Sequence, residues 1–166
     1  MTGPRTNHAT VQVLGRVAVA GPAGVVEVTA RQPASVLAHL ALEPRGATRD
    51  ELADVLWGAA VSGHWQGALR GVLSKVRRAM VDAGFAADVV RSDDTVVRLD
   101  LEVHTDLGAI EVLVEDATAT PELLADAEHA LARPFLPHDD SEWGRRTRAR
   151  IFELGRRVVV RRATAL

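Results

Sequence analysis

Four side chains that form hydrogen bonds recur at helical spacing near the middle of the sequence. Gln66, Arg70, Ser74 and Arg77 follow one another at intervals of four, four and three residues, so a helix would place them on one face. Apolar residues of the same period follow the opposite face and predict a helix over residues 64–83. A cationic ridge backed by an apolar stripe is the geometry that a helix needs to donate hydrogen bonds to base edges in the major groove of DNA. The same pattern is typical of any solvated amphipathic helix, so both interpretations stay open on the pattern alone.

The charged residues of this 166-residue chain are unevenly distributed. The net charge is −2, yet residues 64–84 carry +3, residues 99–140 carry −10 and residues 141–166 carry +6. Such asymmetry can mark an electrostatic footprint for a charged partner on one element. Alternatively, the acidic segment and the arginine-rich segment pair with each other, and we favour this interpretation for residues 99–166.

Residue content disfavours several classes of chemistry. The sequence has no cysteine, which excludes disulfides, thiolate zinc sites and cysteine nucleophiles. Its six histidines lack the spacing of a metal site, and the dense cluster His138-Asp139-Asp140 is better explained as a helix-capping loop. The sequence contains no glycine-rich phosphate loop and no G-x-S-x-G motif. We therefore predict no enzyme activity, no metal site and no cofactor.

Targeting features are also missing from the sequence. The first ten residues are polar, and the apolar run after them is interrupted by Gln12 and Arg16, so we predict no secretory signal. No stretch approaches the roughly 18 apolar residues of a membrane span. We expect a cytoplasmic protein without a membrane partner.

The segments that precede the ridge predict part of its scaffold. A disordered tail is expected over residues 1–10. Residues 11–29 are rich in valine and alternate in polarity, which predicts two strands that turn at Gly21-Pro22-Ala23-Gly24 as a hairpin or meander. Apolar residues at helical spacing then predict a helix over residues 32–42.

A second helix and a hairpin complete this scaffold. Thr48 and Glu51 form a capping box, the clearest helix start in the sequence. After the ridge, alternation returns over residues 87–100 around Ser92-Asp93-Asp94, which predicts a hairpin. Strands, three helices and a hairpin, in this order, outline a winged helix-turn-helix.

We predict an α+β, mainly helical fold with two parts. Residues 11–100 form a winged helix-turn-helix with an N-terminal antiparallel sheet, and residues 101–166 form a short, TPR-like helical region. Each of the three helices of that region begins at a recognisable signal: Thr105, Pro121, and Asp140 or Ser141.

Short motifs in the same order occur in a known family. They are Val13-Leu14-Gly15, Thr48-Arg49-Asp50-Glu51-Leu52 running to Leu56-Trp57-Gly58, Ala68-Leu69-Arg70, Leu73-Ser74-Lys75-Val76-Arg77-Arg78, Val103-His104-Thr105-Asp106-Leu107, and Phe135-Leu136 through Ser141-Glu142-Trp143. Through them the chain resembles the Streptomyces antibiotic regulatory proteins, in which an OmpR-type winged helix precedes a bacterial transcriptional activation domain. The resemblance covers roughly residues 11–162. Each motif is short, and the specificity lies in their order and spacing.

The resemblance implies a transcription regulator that reads double-stranded DNA. Its third helix would enter the major groove, and a wing over residues 88–99 would follow the adjacent backbone. The implied contacts to base edges or nearby phosphates come from Gln66, Arg70, Ser74 and Arg77, and those to backbone phosphates from Lys75, Arg78, Arg91 and Arg98. Family members bind direct repeats near promoters, often as homodimers, and the loop Ala59–Gly63 lies where relatives approach RNA polymerase.

The sequence departs from the family pattern within the implied site. Gly67 and Gly71 each cost about 1 kcal/mol relative to alanine inside a helix. Val72 replaces a polar residue, which removes one expected phosphate contact. Asp93 and Asp94 at the wing tip would repel phosphate, and the Gly-Tyr pair of the family's wing is missing.

These departures favour two further expectations. The helical region is short, so we expect the chain to be either a fragment of a longer regulator or a reduced relative. The alternative function is a winged-helix protein–protein interaction module without DNA binding. The feature that separates the two functions is whether Arg70, Arg77, Arg78 and a wing arginine lie on one exposed face. If Arg70 and Arg77 instead pair with acidic residues of 99–140, the DNA hypothesis fails.

Overall fold

Within residues 8–58 and 63–165, the part of the chain that the computed structural model describes, six α-helices accompany two small β-sheets. In chain order, the elements are β1 (His8–Gln12), β2 (Ala18–Gly21), β3 (Gly24–Glu27), α1 (Arg31–Leu42), β4 (Ala47–Thr48), α2 (Arg49–Trp57), α3 (Trp65–Asp82), β5 (Val90–Ser92), β6 (Val96–Leu99), β7 (Glu102–Thr105), α4 (Asp106–Glu115), α5 (Pro121–Leu131) and α6 (Glu142–Ala165).

The N-terminal sheet has the order β3-β2-β1-β7. β1, β2 and β3 form the predicted antiparallel meander, and Gly21 pairs with Gly24 at the predicted turn. β1 begins at His8, so the predicted disordered tail is wrong for residues 8–10, and residues 1–7 lie outside the described part of the chain. β7 was not predicted; it pairs in parallel with β1, with Val11 opposite Thr105.

Helices α1, α2 and α3 confirm the sequence prediction closely. Thr48 and Glu51 exchange both hydrogen bonds of the capping box at the start of α2. α3 ends before Gly84, whose φ of +99° is a left-handed conformation that favours glycine. The apolar sides of the three helices meet in one core, with Leu37, Leu52 and Leu69 almost fully buried.

A second sheet, with the order β4-β6-β5, forms the wing. Its hairpin confirms the prediction, although residues 87–89 form a 3₁₀ turn and the first strand begins only at Val90. The two-residue strand β4 was not predicted, and it pairs Ala47 with Val97. Gly46 makes this pairing possible, because a Cβ there would lie 2.4 Å from the Val97 carbonyl oxygen.

The three C-terminal helices begin at the predicted signals. Thr105 Oγ1 accepts from Gly108 N at 2.9 Å, and Pro121 occupies the first turn of α5. For α6 the cap is Ser141, whose Oγ accepts from Gly144 N at 3.0 Å. A TPR-like arrangement of these helices stays a prediction.

The winged helix and the helical region pack against each other and share one hydrophobic core. Besides the pairing of β1 with β7, the carboxylate of Asp106 at the start of α4 accepts hydrogen bonds from Val13 N at 2.9 Å and Leu14 N at 3.1 Å. Gly15 N donates to Pro134 O at 3.0 Å. In residues 8–58 and 63–165, no helix is long and apolar enough to span a membrane.

Candidate nucleic-acid interface

The predicted ridge lies on the outer side of α3. Gln66, Arg70 and Ser74 are exposed, whereas Leu69 and Val76 on the opposite side are buried in the core. The helix is amphipathic because its apolar residues recur every three or four positions, and this periodicity directs the ridge to solvent.

Arg77 differs from the other ridge residues because it reaches towards the wing. Its side chain is half-buried, and Nε donates to the carbonyl oxygen of Val90 at 3.4 Å. Val90 is the first residue of β5, so this contact joins α3 to the wing. Arg77 therefore lies at the boundary between the two parts of the implied interface.

The remaining basic side chains of α3 are exposed. Arg78 forms an ion pair with Asp82 on the same helix at 3.3 Å, and its side chain is 80% exposed. Arg70 and Lys75 form no ion pair within the described residues. In the same part of the chain, neither Arg70 nor Arg77 pairs with an acidic residue of 99–140. The ion pairs that would reject the DNA hypothesis are therefore absent from the described residues.

Three small or apolar residues of α3 depart from the family pattern. The structure explains one of them by burial and leaves the other two without a packing reason. Gly67 and Gly71 are exposed, and a Cβ at either position would meet no atom within 4 Å. No packing requirement explains these glycines, so their cost to the helix is not offset by a close contact inside the chain. Val72 is buried in the core at 6% exposure, which explains its apolar side chain.

The wing tip is closed by one of its two aspartates. Asp93 Oδ1 accepts from Thr95 N at 2.8 Å and from Val96 N at 2.7 Å. These backbone hydrogen bonds stabilise the charged form and hold the pKa of Asp93 below its usual value. The sequence assigned Asp93 only a repulsive role; in the structure its carboxylate also forms the turn.

The two wing arginines face each other across the hairpin. Arg91 and Arg98 are register partners, and both guanidinium groups pair with the carboxylate of Asp100. The Arg91 guanidinium lies 2.9 Å from Asp100 Oδ2, and that of Arg98 lies 3.6 Å from Oδ1. The sequence pattern did not predict this cluster, because alternation over residues 87–100 indicates a hairpin without specifying which residues pair across it.

Arg49 is a candidate that the sequence patterns did not assign to the site. It is the first residue of α2, and its guanidinium donates to Ser92 Oγ of the wing at 2.6 Å. The pairing of β4 with β6 brings this helix terminus beside the wing. A pairing of two residues leaves no periodic signal in the sequence.

The arginine-rich helix α6 is engaged inside the molecule. Arg150 pairs with Glu111 of α4 at 2.5 Å, and Arg162 pairs with Glu128 of α5 at 2.5 Å. Arg157 also pairs with Glu115. This confirms the interpretation that the acidic and basic segments pair with each other.

Two other predicted features lie in loops. Asp139 Oδ1 accepts from Ser141 N at 2.8 Å, as expected for a helix-capping loop at the His138-Asp139-Asp140 cluster. Among residues 8–58 and 63–165, no three His, Asp or Glu side chains are placed to hold a metal ion. Of the loop Ala59–Gly63 assigned to RNA polymerase, residues 59–62 lie outside the described residues.

Comparison with known proteins identifies a shared fold. No protein-family model matches the sequence, and no curated protein matches it. Among solved structures, the chain is similar to EmbR of Mycobacterium tuberculosis in complex with a low-affinity phosphopeptide, with a TM-score of 0.73 and 19% sequence identity. The match covers 95% of this chain and 45% of the EmbR chain, so the chain spans less than half the length of that protein. At this identity the similarity concerns the fold, and it supports the α+β winged-helix architecture.

Proposed function

We propose that this protein is a transcription regulator that binds double-stranded DNA with α3 in the major groove. The observation that carries the proposal is the exposed cationic side of α3, where Arg70 of the ridge and the flanking Lys75 make no ion pair in the described chain. The winged-helix fold shared with EmbR and the resemblance to the Streptomyces antibiotic regulatory proteins support it at the level of the family.

Sequence discrimination is assigned to the N-terminal half of α3. An arginine there can donate two hydrogen bonds to O6 and N7 of guanine, and a glutamine can bind N6 and N7 of adenine. Arg70 and Gln66 are exposed one helical turn apart, which suits neighbouring base pairs. Ser74 lies one turn further along the same side and can accept or donate a single hydrogen bond.

Phosphate contacts are assigned to the surrounding cations. Lys75 and Arg78 flank the ridge on α3, and Arg77 lies between α3 and the wing. Arg49, held by Ser92, extends this cationic border to the start of α2. Such contacts set the position of the protein on the duplex and carry little sequence information.

Several finer features rest on the family resemblance alone. These are binding to direct repeats at promoters, homodimer formation, contact with RNA polymerase through residues 59–63, and a role of α4–α6 as the start of a TPR-like activation domain. A cytoplasmic location is proposed from the sequence, in which no secretory signal or membrane span is predicted. We keep them as parts of the proposal.

A salt titration tests the proposal. Fluorescence anisotropy of a GC-rich duplex should show binding whose log affinity falls by roughly three to five units per log unit of salt, because several phosphates are neutralised. Selection from a random duplex pool should then enrich one sequence. A folded protein that shows no binding at low salt would reject the proposal.

A protein–protein interaction module remains the second candidate, and one observation favours it. Phe152 and Val160 on α6 are 71% and 63% exposed and line one groove together with Val159, and a contiguous exposed apolar patch can mark a protein-interaction site. The pairing of the acidic and basic segments weakens this candidate, because these charges are already engaged within the chain. Absence of DNA binding, with unchanged folding, would favour it over the regulator.

A further inference from the structure

We infer that Asp100 limits the DNA affinity of this winged helix by competing with phosphate for Arg91 and Arg98. The inference rests on the proposed function, and it names a residue that regulates the same interface from outside α3.

The geometry of the hairpin places the three side chains together. Arg91 and Arg98 are directly opposite in the register of β5 and β6. Residues two apart on a strand point to the same face, so Asp100 follows Arg98 on that face. Asp100 N donates to Val89 O at 2.7 Å, which continues the hairpin for one residue beyond β6 and fixes the aspartate beside the pair.

The carboxylate is shared between the two arginines. One oxygen lies 2.9 Å from Arg91 and the other 3.6 Å from Arg98. Two like charges that face each other across a hairpin are destabilising, and the aspartate offsets this repulsion. In the free protein, Asp100 therefore holds the arginines together and halves their combined charge.

The same contact opposes DNA binding. The side chains of Arg91, Arg98 and Asp100 are 52%, 42% and 39% exposed, so the ion pairs are accessible to a competing anion. A guanidinium binds phosphate with the geometry that it uses for carboxylate. A DNA phosphate at the wing must therefore displace Asp100 or approach a negative charge.

The key variant is Asp100→Asn, because it removes the charge and keeps the size of the side chain. Asp94→Asn is the matched control, since Asp94 is an exposed wing aspartate that forms no ion pair in the described part of the chain. The control changes the net charge of the wing equally but leaves both arginines bound to Asp100.

The experiment is the anisotropy salt titration on the full chain with one duplex. Asp100→Asn should bind roughly three- to twenty-fold more tightly at low salt, as expected when two exposed ion pairs are released. Its log–log salt slope should be steeper by about one to two units, because each added phosphate contact contributes about 0.9. Asp94→Asn removes a charge that repels phosphate at the wing tip and can gain affinity, but it should keep the wild-type slope because it releases no arginine.

A double-mutant cycle shows whether the arginines carry the effect. Arg91→Gln should change the slope little in the wild-type background and should reduce the gain in the Asp100→Asn background. Thermal unfolding of each variant checks the fold, and Asp100→Ser provides a second neutral side chain if Asp100→Asn is unstable.

The outcomes separate this inference from the proposed function. If the wild type binds DNA and Asp100→Asn has the slope of the wild type or of Asp94→Asn, Asp100 is only a structural residue and the inference is wrong. If neither the wild type nor any variant binds DNA, the proposed function is wrong, and so is the inference that rests on it. Binding by Asp100→Asn alone would support both.

Discussion

Two arginine-bearing helices of this protein use their charges in opposite ways. On α3, Arg70 and Lys75 face solvent without an ion pair in the described residues, and Arg78 has only an exposed partner on its own helix. On α6, arginines pair with acidic residues of α4 and α5, and Arg148 binds carbonyl groups of the preceding loop. The helix with more arginines is therefore the weaker candidate for a nucleic-acid surface.

The comparison shows that a charge count does not identify an interface. Residues 141–166 carry +6 and residues 64–84 only +3, yet the larger charge is compensated by residues 99–140 inside the fold. A basic helix indicates a nucleic-acid partner only where the chain leaves its cations accessible. Substitutions on either helix can test this difference.

The largest expected effect is a loss of folding stability on substitution of Arg148 in α6. Its guanidinium donates to the carbonyl oxygens of Phe135, Leu136 and Asp139 at 3.3, 3.0 and 2.5 Å. Arg148→Ala should lower the free energy of unfolding by about 2–4 kcal/mol, because three partly buried carbonyls lose a charged donor. Urea unfolding measures this loss.

The matched control for Arg148 is Arg146→Ala on the same helix. Arg146 makes an exposed ion pair with Glu142, and such pairs contribute about 0–1 kcal/mol. Equal losses in the two variants would show that α6 is not held by its loop contacts.

The next largest expected effect is a loss of sequence-specific DNA affinity on substitution of Arg70 in α3. Arg70→Ala should weaken binding to a selected sequence by about 1–3 kcal/mol and leave nonspecific binding unchanged, as expected for a base contact. Competition titrations with specific and random duplexes measure the two affinities. A parallel loss of both would make Arg70 a phosphate contact instead.

A smaller and more uniform effect is expected at Arg78. Arg78→Ala should weaken binding to all duplexes alike and reduce the salt slope by about one unit. Arg157→Ala on α6 is the matched control, since that arginine is paired with Glu115 and should leave the slope unchanged. If both variants lower the slope equally, the distinction between α3 and α6 is wrong.

The smallest effect is a pH dependence at the contact between α1 and α6. The ring centroids of His39 and Trp143 lie 4.4 Å apart. Burial lowers the pKa of His39, and the nearby negative charges of Glu43, Glu51 and Asp139 oppose this shift. The neutral form is thus favoured in the folded state, and the unfolded state binds more protons below the ordinary pKa of about 6.5.

Stability should therefore decrease as the pH falls below the unfolded pKa of about 6.5 towards the lowered folded pKa. Thermal unfolding between pH 7 and pH 5 should show this decrease in the wild type and a weaker one in His39→Gln. An identical pH dependence in both proteins would assign the effect to other groups.

Helix starts could be predicted from the sequence because their chemistry is local. Thr48, Thr105 and Pro121 each act within one turn of their own helix, and the structure places all three as expected. The apolar period of α3 likewise indicated which side is buried and which is exposed.

Contacts between distant segments were not predicted. β4 and β7 have two and four residues, and their partners lie about fifty and ninety residues away in the chain, so no local periodicity reports them. For the same reason the sequence did not indicate the contact of Arg49 with Ser92. The role of Asp100 depends on the register of the hairpin, which composition and charge do not specify.

The parallel strand β7 also determines how the molecule can be divided. β1 lies between β2 and β7, so both of its hydrogen-bonding edges are occupied. A winged helix cut at residue 100 would present β1 as an open edge, and such edges recruit strands from other molecules. A dissected winged-helix fragment should therefore self-associate unless it retains residues 102–105, and size-exclusion chromatography of fragments ending before and after β7 would show the difference.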